Sequence, residues 1–255
     1  MSTTATDATH RAPGRHAAFL RPAHPRGDVP IDSWSRSALE RGHKLLSIST
    51  PTGSPAPSGT SVLSPNDLHP SSAPADLVRA ALDEGFTGLS ILIRADEVIA
   101  VTSADFHAAV ESALTALCAE HPARVLCVYD RPGAGTEHLG LAVTHHRGEL
   151  QEQLLTIRDA EDRTHVDGEV DVTNLDVFDA ALRTRRTLTD DIVHLDMSGT
   201  AFLSAGAADA LVRHVMTPHD GLAAVQLHDL PRHIRRILGL AGLAIPAEQR
   251  AQPER

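Results

Sequence analysis

The residue with the clearest potential for chemistry is Ser204, which stands just before the helix-like segment AGAADALVRHVM. The first backbone N–H groups of a helix lack partners within the helix and attract negative charge, so a serine there can receive a phosphate group. The same hydroxyl can instead accept a hydrogen bond and act as the helix N-cap. Ser198, beside Gly199, is a weaker phosphoacceptor candidate, because a serine in such a turn more readily bonds the backbone.

A second set of polar residues surrounds the apolar run VLCVY. Asp130 and Arg131 close this run, and Glu111 lies on the helix predicted before it. The carboxyl ends of parallel strands line ligand crevices in α/β sheets, so these three residues are candidates for binding a small molecule. A salt bridge or a helix cap would use the same side chains without any ligand, and both interpretations fit the sequence.

Motifs for metals, cofactors and catalytic centres are not found in the sequence. Cys118 and Cys127 lie in apolar segments and are expected to be buried free thiols, since their spacing matches no metal motif. His145 and His146 are adjacent and are expected to point in different directions, which argues against a shared metal ion. The chain's one lysine, Lys44, follows no phosphate-binding glycine loop, and G-x-S-x-G is absent. The sequence therefore predicts a protein that is not an enzyme and holds no metal or cofactor.

The overall charge restricts the partners of this chain. Its 255 residues carry a formal net charge of −10, so nucleic acid or an anionic membrane surface is not expected as a partner. There is no apolar run of membrane-spanning length, and the N-terminal MSTTATDATHRAPGRH lacks an apolar signal core. These features predict a cytoplasmic protein.

Hydrophobic periodicity predicts strands that alternate with helices, which is typical of an α/β fold. Residues 1–14 and 247–255 are predicted to be disordered tails, and 51–75 a flexible loop around one short strand. The predicted strands are His16–Leu20, Lys44–Ile48, Ser61–Leu63, Leu89–Ile93, Val125–Tyr129 and Ile192–Leu195. The predicted helices of the first half are Ser33–Arg41, Asp76–Glu84, Asp105–Glu120 and a short helix within 132–148. Their inward residues are predicted to be Trp34 and Leu39 in the first, Leu77, Ala80, Ala81 and Leu82 in the second, and Phe106, Ala109, Val110, Ala113, Leu114 and Leu117 in the third.

The stretch 165–206 predicts a strand, a turn, a helix, a strand, a loop and a further helix. Val166 is expected to lead into a turn at Asp167 and Gly168. Thr173 is expected to cap the following helix, which buries Leu175, Val177, Phe178, Ala181 and Leu182 at helical spacing.

The order G-E-V-D … D-M-S-G-x-x-F-L-S-A-G resembles the STAS domain of anti-sigma factor antagonists, and the resemblance covers about 151–246. In that family a serine in the loop after the Asp-Leu-Ser-Gly strand is phosphorylated by a partner anti-sigma kinase. Aligned without gaps from Asp196, this chain has Ala205 at the phosphoacceptor position. With a one-residue gap Ser204 becomes the acceptor. The gapless alignment keeps the following helix in phase and implies a loop that binds its partner constitutively.

The segments DEGFTGLSILIRADEVI, FHAAVESALTAL and ARVLCVYDR resemble the MEDS sensory domain, and this resemblance covers about 15–148. The fold of that family is considered a relative of RecA- and KaiC-like ATPase cores. The family often has a histidine near a sensory pocket at the start of the first strand. The resemblance therefore adds His16 to Glu111, Asp130 and Arg131 as ligand-binding candidates.

Together the two resemblances imply an α/β chain with a RecA/KaiC-like parallel-sheet sensory domain at 15–148 and a STAS-like α/β domain at 151–246. They imply a non-enzymatic signalling protein that binds an anti-sigma factor, or a serine kinase of the anti-sigma type, under control of a small-molecule ligand. The alternative is a stand-alone small-molecule sensor whose STAS part mediates assembly. Partner contacts are expected at the 169–174 turn and the 198–207 loop, from Asp171, Thr173, Asn174, Ser204, Ala205 and Gly206.

Overall fold

A computed structural model describes residues 16–21, 29–50, 53, 56–67, 73–131, 136–189, 192–216 and 221–244. These residues form one eleven-stranded, mostly parallel sheet with helices packed against it, so the predicted α/β class is confirmed. The tails predicted at 1–14 and 247–255, and parts of the 51–75 loop, lie outside the described residues.

The bounds of the elements are as follows. The strands are β1 (His16–Arg21), β2 (His43–Ile48), β3 (Ser61–Leu63), β4 (Gly88–Arg94), β5 (Ala123–Asp130), β6 (Leu150–Gln151), β7 (Leu155–Ala160), β8 (Arg163–Val170), β9 (Val193–Asp196), β10 (Thr200–Leu203) and β11 (Val225–His228). The helices are α1 (Val29–Glu40), α2 (Ala73–Asp83), α3 (Ala95–Val101), α4 (Ala104–Glu120), α5 (Thr136–His145), α6 (Leu175–Leu188), α7 (Ala205–Met216) and α8 (Arg232–Leu240), with a 3-10 turn at Pro65–Asp67.

The strands of the first half are all parallel, in the order β1-β5-β4-β2-β3. Their side chains alternate between the two faces of the sheet, as strand geometry requires. Ala17 and Phe19 pack with Trp34 of α1 on one face. Ala18 and Cys127 belong to the larger core on the other face, where α2, α3, α4 and α5 lie. His16 is two residues from Ala18, and Tyr129 is two residues from Cys127, so both side chains also point toward α4 and α5.

The short strand β6 joins the two halves of the sheet. It pairs in parallel with β1, with Leu150 opposite Ala18, and antiparallel with β7, with Leu150 opposite Ile157. The sheet therefore runs without a break through the predicted junction at 148–151. The division into domains at 15–148 and 151–246 stays a prediction.

The turn predicted at Asp167 and Gly168 is wrong, because β8 continues through both residues as far as Val170. Gly168 makes this possible. Its φ is +94°, in the range that favours glycine, and a Cβ there would lie 2.1 Å from the carbonyl oxygen of Leu154. The neighbouring strand thus approaches the backbone too closely for any side chain at this position.

The loop predicted at 198–207 is mostly regular structure. Residues Thr200–Leu203 form β10, which pairs with β8 so that Leu203 lies opposite Val170.

The prediction that Thr173 caps helix α6 is also wrong. Asn174 occupies the N-cap position of α6, and the Thr173 hydroxyl donates to Asp171 instead.

Four residues predicted to face inward are exposed: Leu39 by 49%, Leu82 by 42%, and the two alanines Ala80 and Ala109. The buried stripe of α1 consists of Ile31, Trp34 and Ala38, and Leu39 lies one residue further round the helix. Leu82 lies one residue from the end of α2. The helix α3 and the strands β6 and β7 were not predicted.

Candidate functional site

Four side chains that commonly bind metals meet against the α4 face of the sheet. They are His16, Glu111, Cys127 and His146, and one ligand atom from each lies within 4.8 Å of the others. Glu111 and His146 are completely buried, and the side chain of His16 is only 7% exposed. We refer to these four residues as the buried cluster.

Strand register and helix packing bring the buried cluster together. Ala18 of β1 lies opposite Cys127 of β5, so His16 emerges on the same face of the sheet as this cysteine. Helix α4 packs on that face and buries Glu111 near its middle. His146 follows directly after the last residue of α5. The cluster therefore depends on two strands, a helix and the end of a second helix.

Oxygen Oε1 of Glu111 is held by hydrogen-bond donors. The Tyr129 hydroxyl donates to it at 3.1 Å, and Nε2 of His107 lies 2.9 Å from it. Nδ1 of His107 is buried without a hydrogen-bond partner among the described residues, so the ring hydrogen belongs on Nε2. Two donors thus fix the orientation of the carboxylate from one side.

Hydrogen bonds also fix the hydrogens of the two cluster histidines. Nδ1 of His146 lies 3.0 Å from the carbonyl oxygen of Ala142, which can only accept, so Nδ1 carries the hydrogen. The Thr115 hydroxyl donates its hydrogen to the carbonyl oxygen of Glu111, so at 2.9 Å it accepts a hydrogen from Nδ1 of His16. Whenever either ring is neutral, its Nε2 therefore carries the lone pair.

Oxygen Oε2 of Glu111 faces these lone pairs. Nε2 of His16 lies 2.9 Å from it and Nε2 of His146 lies 3.2 Å from it, and the latter nitrogen makes no hydrogen bond within the described structure. The Cys127 thiol is 3.5 Å away. The thiol donates toward Oε2, whereas the Nε2 lone pairs of neutral rings would face this oxygen with no hydrogen between them, and unpaired polar atoms are costly in a dry site.

Burial controls ionisation in this cluster. It lowers the pKa of His16, which keeps the ring neutral, and it raises the pKa of the Cys127 thiol, with Glu111 adding to the rise. Burial also opposes the ionisation of Glu111, but the positive charge that His146 carries when protonated and the hydrogen bonds from the surrounding histidines outweigh it and hold the pKa of this carboxyl well below its usual range. The metal-free cluster therefore contains a carboxylate and a thiol.

The four ligand-binding candidates from the sequence separate into two pairs. His16 and Glu111 meet in the buried cluster. His16 pairs with Val125 near the start of β5, whereas Asp130 and Arg131 lie at and just after the end of that strand. Asp130 accepts a hydrogen bond from Arg21 at 2.7 Å, and Nη2 of Arg131 lies 2.6 Å from Oδ1 of Asp176. The salt-bridge interpretation therefore describes the second pair.

Sequence reasoning missed Cys127, His146, His107 and Tyr129 as members of the site. Alternation along VLCVY places Cys127 and Tyr129 on one face, and helical spacing places His107 one turn before Glu111, so both signals were present. His145 and His146 do not share one site, as expected, because His146 belongs to the buried cluster and His145 does not.

The other candidate region surrounds Ser204. Its hydroxyl accepts a hydrogen bond from the backbone N–H of Ala207 at 3.2 Å, and its own N–H donates to the carbonyl oxygen of Val170 at 2.9 Å. Ser204 is thus an N-cap of α7, while Ala205 and Gly206 are exposed. Ser198 is exposed in the preceding turn, and its N–H donates to Oδ1 of Asp196 at 2.9 Å.

The predicted 169–174 turn lies beside Ser204. The Asp171 carboxylate accepts hydrogen bonds from the N–H of Thr173 at 2.7 Å and from its hydroxyl at 2.6 Å. Those bonds from Thr173 outweigh the effect of burial and lower the pKa of Asp171. Asn174 is fully buried, accepts from the N–H of Asp171 at 2.9 Å and donates to the carbonyl oxygen of Glu169 at 2.9 Å. Asn174 therefore holds the turn together and offers no surface to a partner.

Exposed apolar groups and an open groove accompany these two segments. Val172 is 81% exposed and Phe202 is 45% exposed. A groove of about 460 Å³ lies alongside and is lined by Arg131, Val172, Leu175, Asp179, Ala210 and Arg213. The region combines apolar contacts with charged residues at its rim, as protein interfaces do.

No protein-family model matches this chain, and no curated protein sequence matches it significantly. The longest of the described helices, α4, has 17 residues, and none of those helices has both the length and the apolar content to cross a bilayer.

Proposed function

We propose that this chain is a non-enzymatic, cytoplasmic signalling protein of the anti-sigma factor antagonist type. Its C-terminal half would bind an anti-sigma factor or a related serine kinase, and its N-terminal half would be the sensory part. The sequence resemblances to STAS and MEDS domains are the origin of this proposal.

The observation that carries the proposal is the adjacency of the two predicted partner segments. The 169–174 turn and the loop at Ser204 are separated by 30 residues in sequence, but β10 pairs with β8 and brings them side by side. An added Cβ at Gly206 would lie 3.5 Å from Leu175, at the start of α6. One surface therefore contains Asp171, Thr173, Ser204, Ala205 and Gly206.

A negative charge at Ser204 would act directly on this surface. The hydroxyl faces the N-terminus of α7, where backbone N–H groups stabilise an anion in the free protein. A partner that covers the loop would have to remove water from that charge. An unpaired charge in an interface costs about 2–5 kcal/mol, so phosphate at this position would release the partner.

Two substitutions separate charge from helix capping. Aspartate and asparagine are both good N-caps and have nearly the same shape, so Ser204→Asp and Ser204→Asn should fold alike. Binding of the full chain to purified serine-kinase-type anti-sigma factors is measured by biolayer interferometry. Ser204→Asp is expected to weaken the complex by about 30-fold or more, and Ser204→Asn by less than about threefold.

Equal affinities for the two variants would remove this loop from the interface, and binding to none of the anti-sigma factors would contradict the proposed function. Mass spectrometry of the native protein distinguishes the two alignments. Phosphate at Ser204 would support the gapped alignment, whereas unmodified Ser204 in a protein that binds its partner constitutively would support the gapless one.

The continuous sheet favours a second candidate, a small-molecule sensor in which the STAS-like half mediates assembly. Strand β6 pairs with β1 and with β7, so main-chain pairing joins the proposed sensory half directly to the C-terminal half. Light scattering would show a stable oligomer through the C-terminal half, and a thermal-shift screen would identify stabilising ligands. A monomer that binds an anti-sigma factor would contradict this alternative.

A further inference from the structure

We propose that the buried cluster binds one Zn²⁺ ion through Nε2 of His16, Oε2 of Glu111, Sγ of Cys127 and Nε2 of His146. Zinc binding at this place does not depend on whether the C-terminal half binds an anti-sigma factor.

The distances between these atoms fit a tetrahedral zinc site. Zinc binds nitrogen and oxygen at about 2.0–2.2 Å and thiolate sulfur at about 2.3 Å, so two ligand atoms in a tetrahedral site are about 3.3–3.6 Å apart. In the cluster, Sγ of Cys127 lies 3.5 Å from Oε2 of Glu111 and 3.7 Å from Nε2 of His16. Oε2 lies 2.9 Å and 3.2 Å from Nε2 of His16 and His146. Shifts of a few tenths of an ångström would bring these four separations to zinc geometry, and the other two lie within 4.8 Å.

The hydrogen bonds around the cluster orient each ligand atom toward its centre. Thr115 and the Ala142 carbonyl hold the ring hydrogens of the two histidines on Nδ1, and Tyr129 and His107 hold Oε1 of Glu111. Such outer partners are the usual support of metal-binding histidines and carboxylates. The lone pairs of both Nε2 atoms are left facing Oε2.

His146 supplies an independent sign that a ligand belongs here. Its side chain is completely buried, and its Nε2, which lies 3.2 Å from Oε2 of Glu111, makes no well-oriented hydrogen bond among the described residues. A buried nitrogen without a partner is costly, and the cost disappears when the lone pair coordinates a cation.

The chemistry of the ligands selects zinc over harder ions. A thiolate and two imidazoles favour zinc or another late transition metal, whereas Mg²⁺ and Ca²⁺ prefer oxygen ligands. Coordination replaces the hydrogen on Sγ of Cys127, and that proton leaves to solvent. One thiolate and one carboxylate then balance the charge of Zn²⁺, so the buried site is neutral overall. Four protein ligands leave no open position, which is typical of a structural zinc site.

A zinc ion would connect parts of the chain that are far apart in sequence. It would tie the start of β1 to β5, to the middle of α4 and to the segment after α5. His146 is followed within four residues by β6, which pairs with β1 through Leu150 and Ala18. The ion would therefore stabilise the place where the two halves of the sheet join.

The test uses the full-length chain, purified with a thiol reductant and freed of metal by a chelator. Elemental analysis after addition of Zn²⁺ is expected to give one zinc per chain. At zinc about a hundredfold above its Kd, Tm should rise by roughly 5 °C or more. Co²⁺ is the spectroscopic probe, because a tetrahedral site with a cysteine ligand gives intense visible bands and a thiolate-to-cobalt charge-transfer band.

Matched variants locate the ion. Cys127→Ser and His146→Gln remove ligands, whereas Cys118→Ser and His145→Gln change the same residue types outside the cluster. The first pair should lose stoichiometric zinc and the zinc-dependent rise in Tm, and Cys127→Ser should also lose the charge-transfer band. The second pair should behave like the wild type.

Several results would overturn the zinc site. They are a wild-type chain that takes up no stoichiometric zinc, a Co²⁺ complex without the charge-transfer band, or zinc retained by both ligand variants. Stoichiometric copper or iron in the chain as isolated, not displaced by zinc, would overturn the identity of the metal. If a ligand variant does not fold, the wild-type zinc content and Co²⁺ spectrum still decide the question.

Discussion

Replacing Gly168 by alanine tests how closely β7 and β8 approach each other. Two costs add at this position. A side chain at φ +94° costs about 1–2 kcal/mol, because the left-handed region is unfavourable for L-residues. The new Cβ would also lie 2.1 Å from the Leu154 carbonyl oxygen, which accepts the hydrogen bond from Glu169 N–H at 2.7 Å. Moving that carbonyl weakens this bond, worth about 1 kcal/mol, and strains the packing by about 1–3 kcal/mol.

The control for this substitution is Gly85→Ala, because Gly85 has φ +93° and an added Cβ would meet nothing within 4 Å. It should show only the cost of the dihedral angle. Urea denaturation of both variants measures the free energy of unfolding. Gly168→Ala is expected to be less stable than Gly85→Ala by about 2–4 kcal/mol. The usual error of additivity is about 0.5 kcal/mol, so a smaller difference between the two unfolding free energies would mean that the backbone at Leu154 moves away without measurable cost. That result would refute the close approach.

Three further predictions concern the turn, the charge network and the junction. Asn174→Ala should lower the free energy of unfolding by about 1–3 kcal/mol in urea denaturation, because it removes the partners of two part-buried backbone groups, the Asp171 N–H and the Glu169 carbonyl. Burial raises the pKa of Asp196, but bonds from Ser198 and nearby positive groups outweigh it and lower that pKa. The Asp196 carboxylate should therefore stabilise the folded state fully above about pH 4, and this stabilisation should be lost as the pH falls further. In thermal melts at several pH values, Asp196→Asn should show a smaller acid-induced loss of stability than the wild type. If the two halves are separate domains, limited proteolysis should cut near 148–151 and release each half as a stable fragment, whereas cleavage within 51–75 alone, leaving one fragment that spans both halves, would contradict the domain prediction.

Much of the first half could be predicted from sequence because its strands are buried on both faces. Runs such as VLCVY are apolar throughout, which is typical of parallel strands covered by helices. The same property hides the functional residues, since Cys127 looks like any other small core residue in such a run. His146 could not be assigned at all from local pattern, because its position in the cluster depends on how α5 packs against β5.

The early end of the predicted strand in the second half has its origin at Gly168. A glycine after an aspartate is typical of a turn, and this interpretation ended the predicted strand too early. In the structure the positive φ of Gly168 lies inside β8, where it admits the backbone of Leu154. The alternation of Leu155 and Ile157 with polar residues was a readable signal for β7, and with that strand in place β8 follows as its hairpin partner.

Two routes connect the buried cluster to the surface around Ser204, and they differ in how readily they could change. The first is the pairing of β6 with β1, which is buried main-chain structure and therefore rigid. The second is Arg131, directly after β5, which donates to the Thr173 carbonyl and forms an ion pair with Asp176 at 2.6 Å. These contacts lie at the surface, where an ion pair contributes little stability, so they can break without uncovering the core. Coupling between sites requires an element with two arrangements of similar free energy. The contacts of Arg131 can break at lower cost than the buried β6–β1 pairing, so they are the better candidate for such an element.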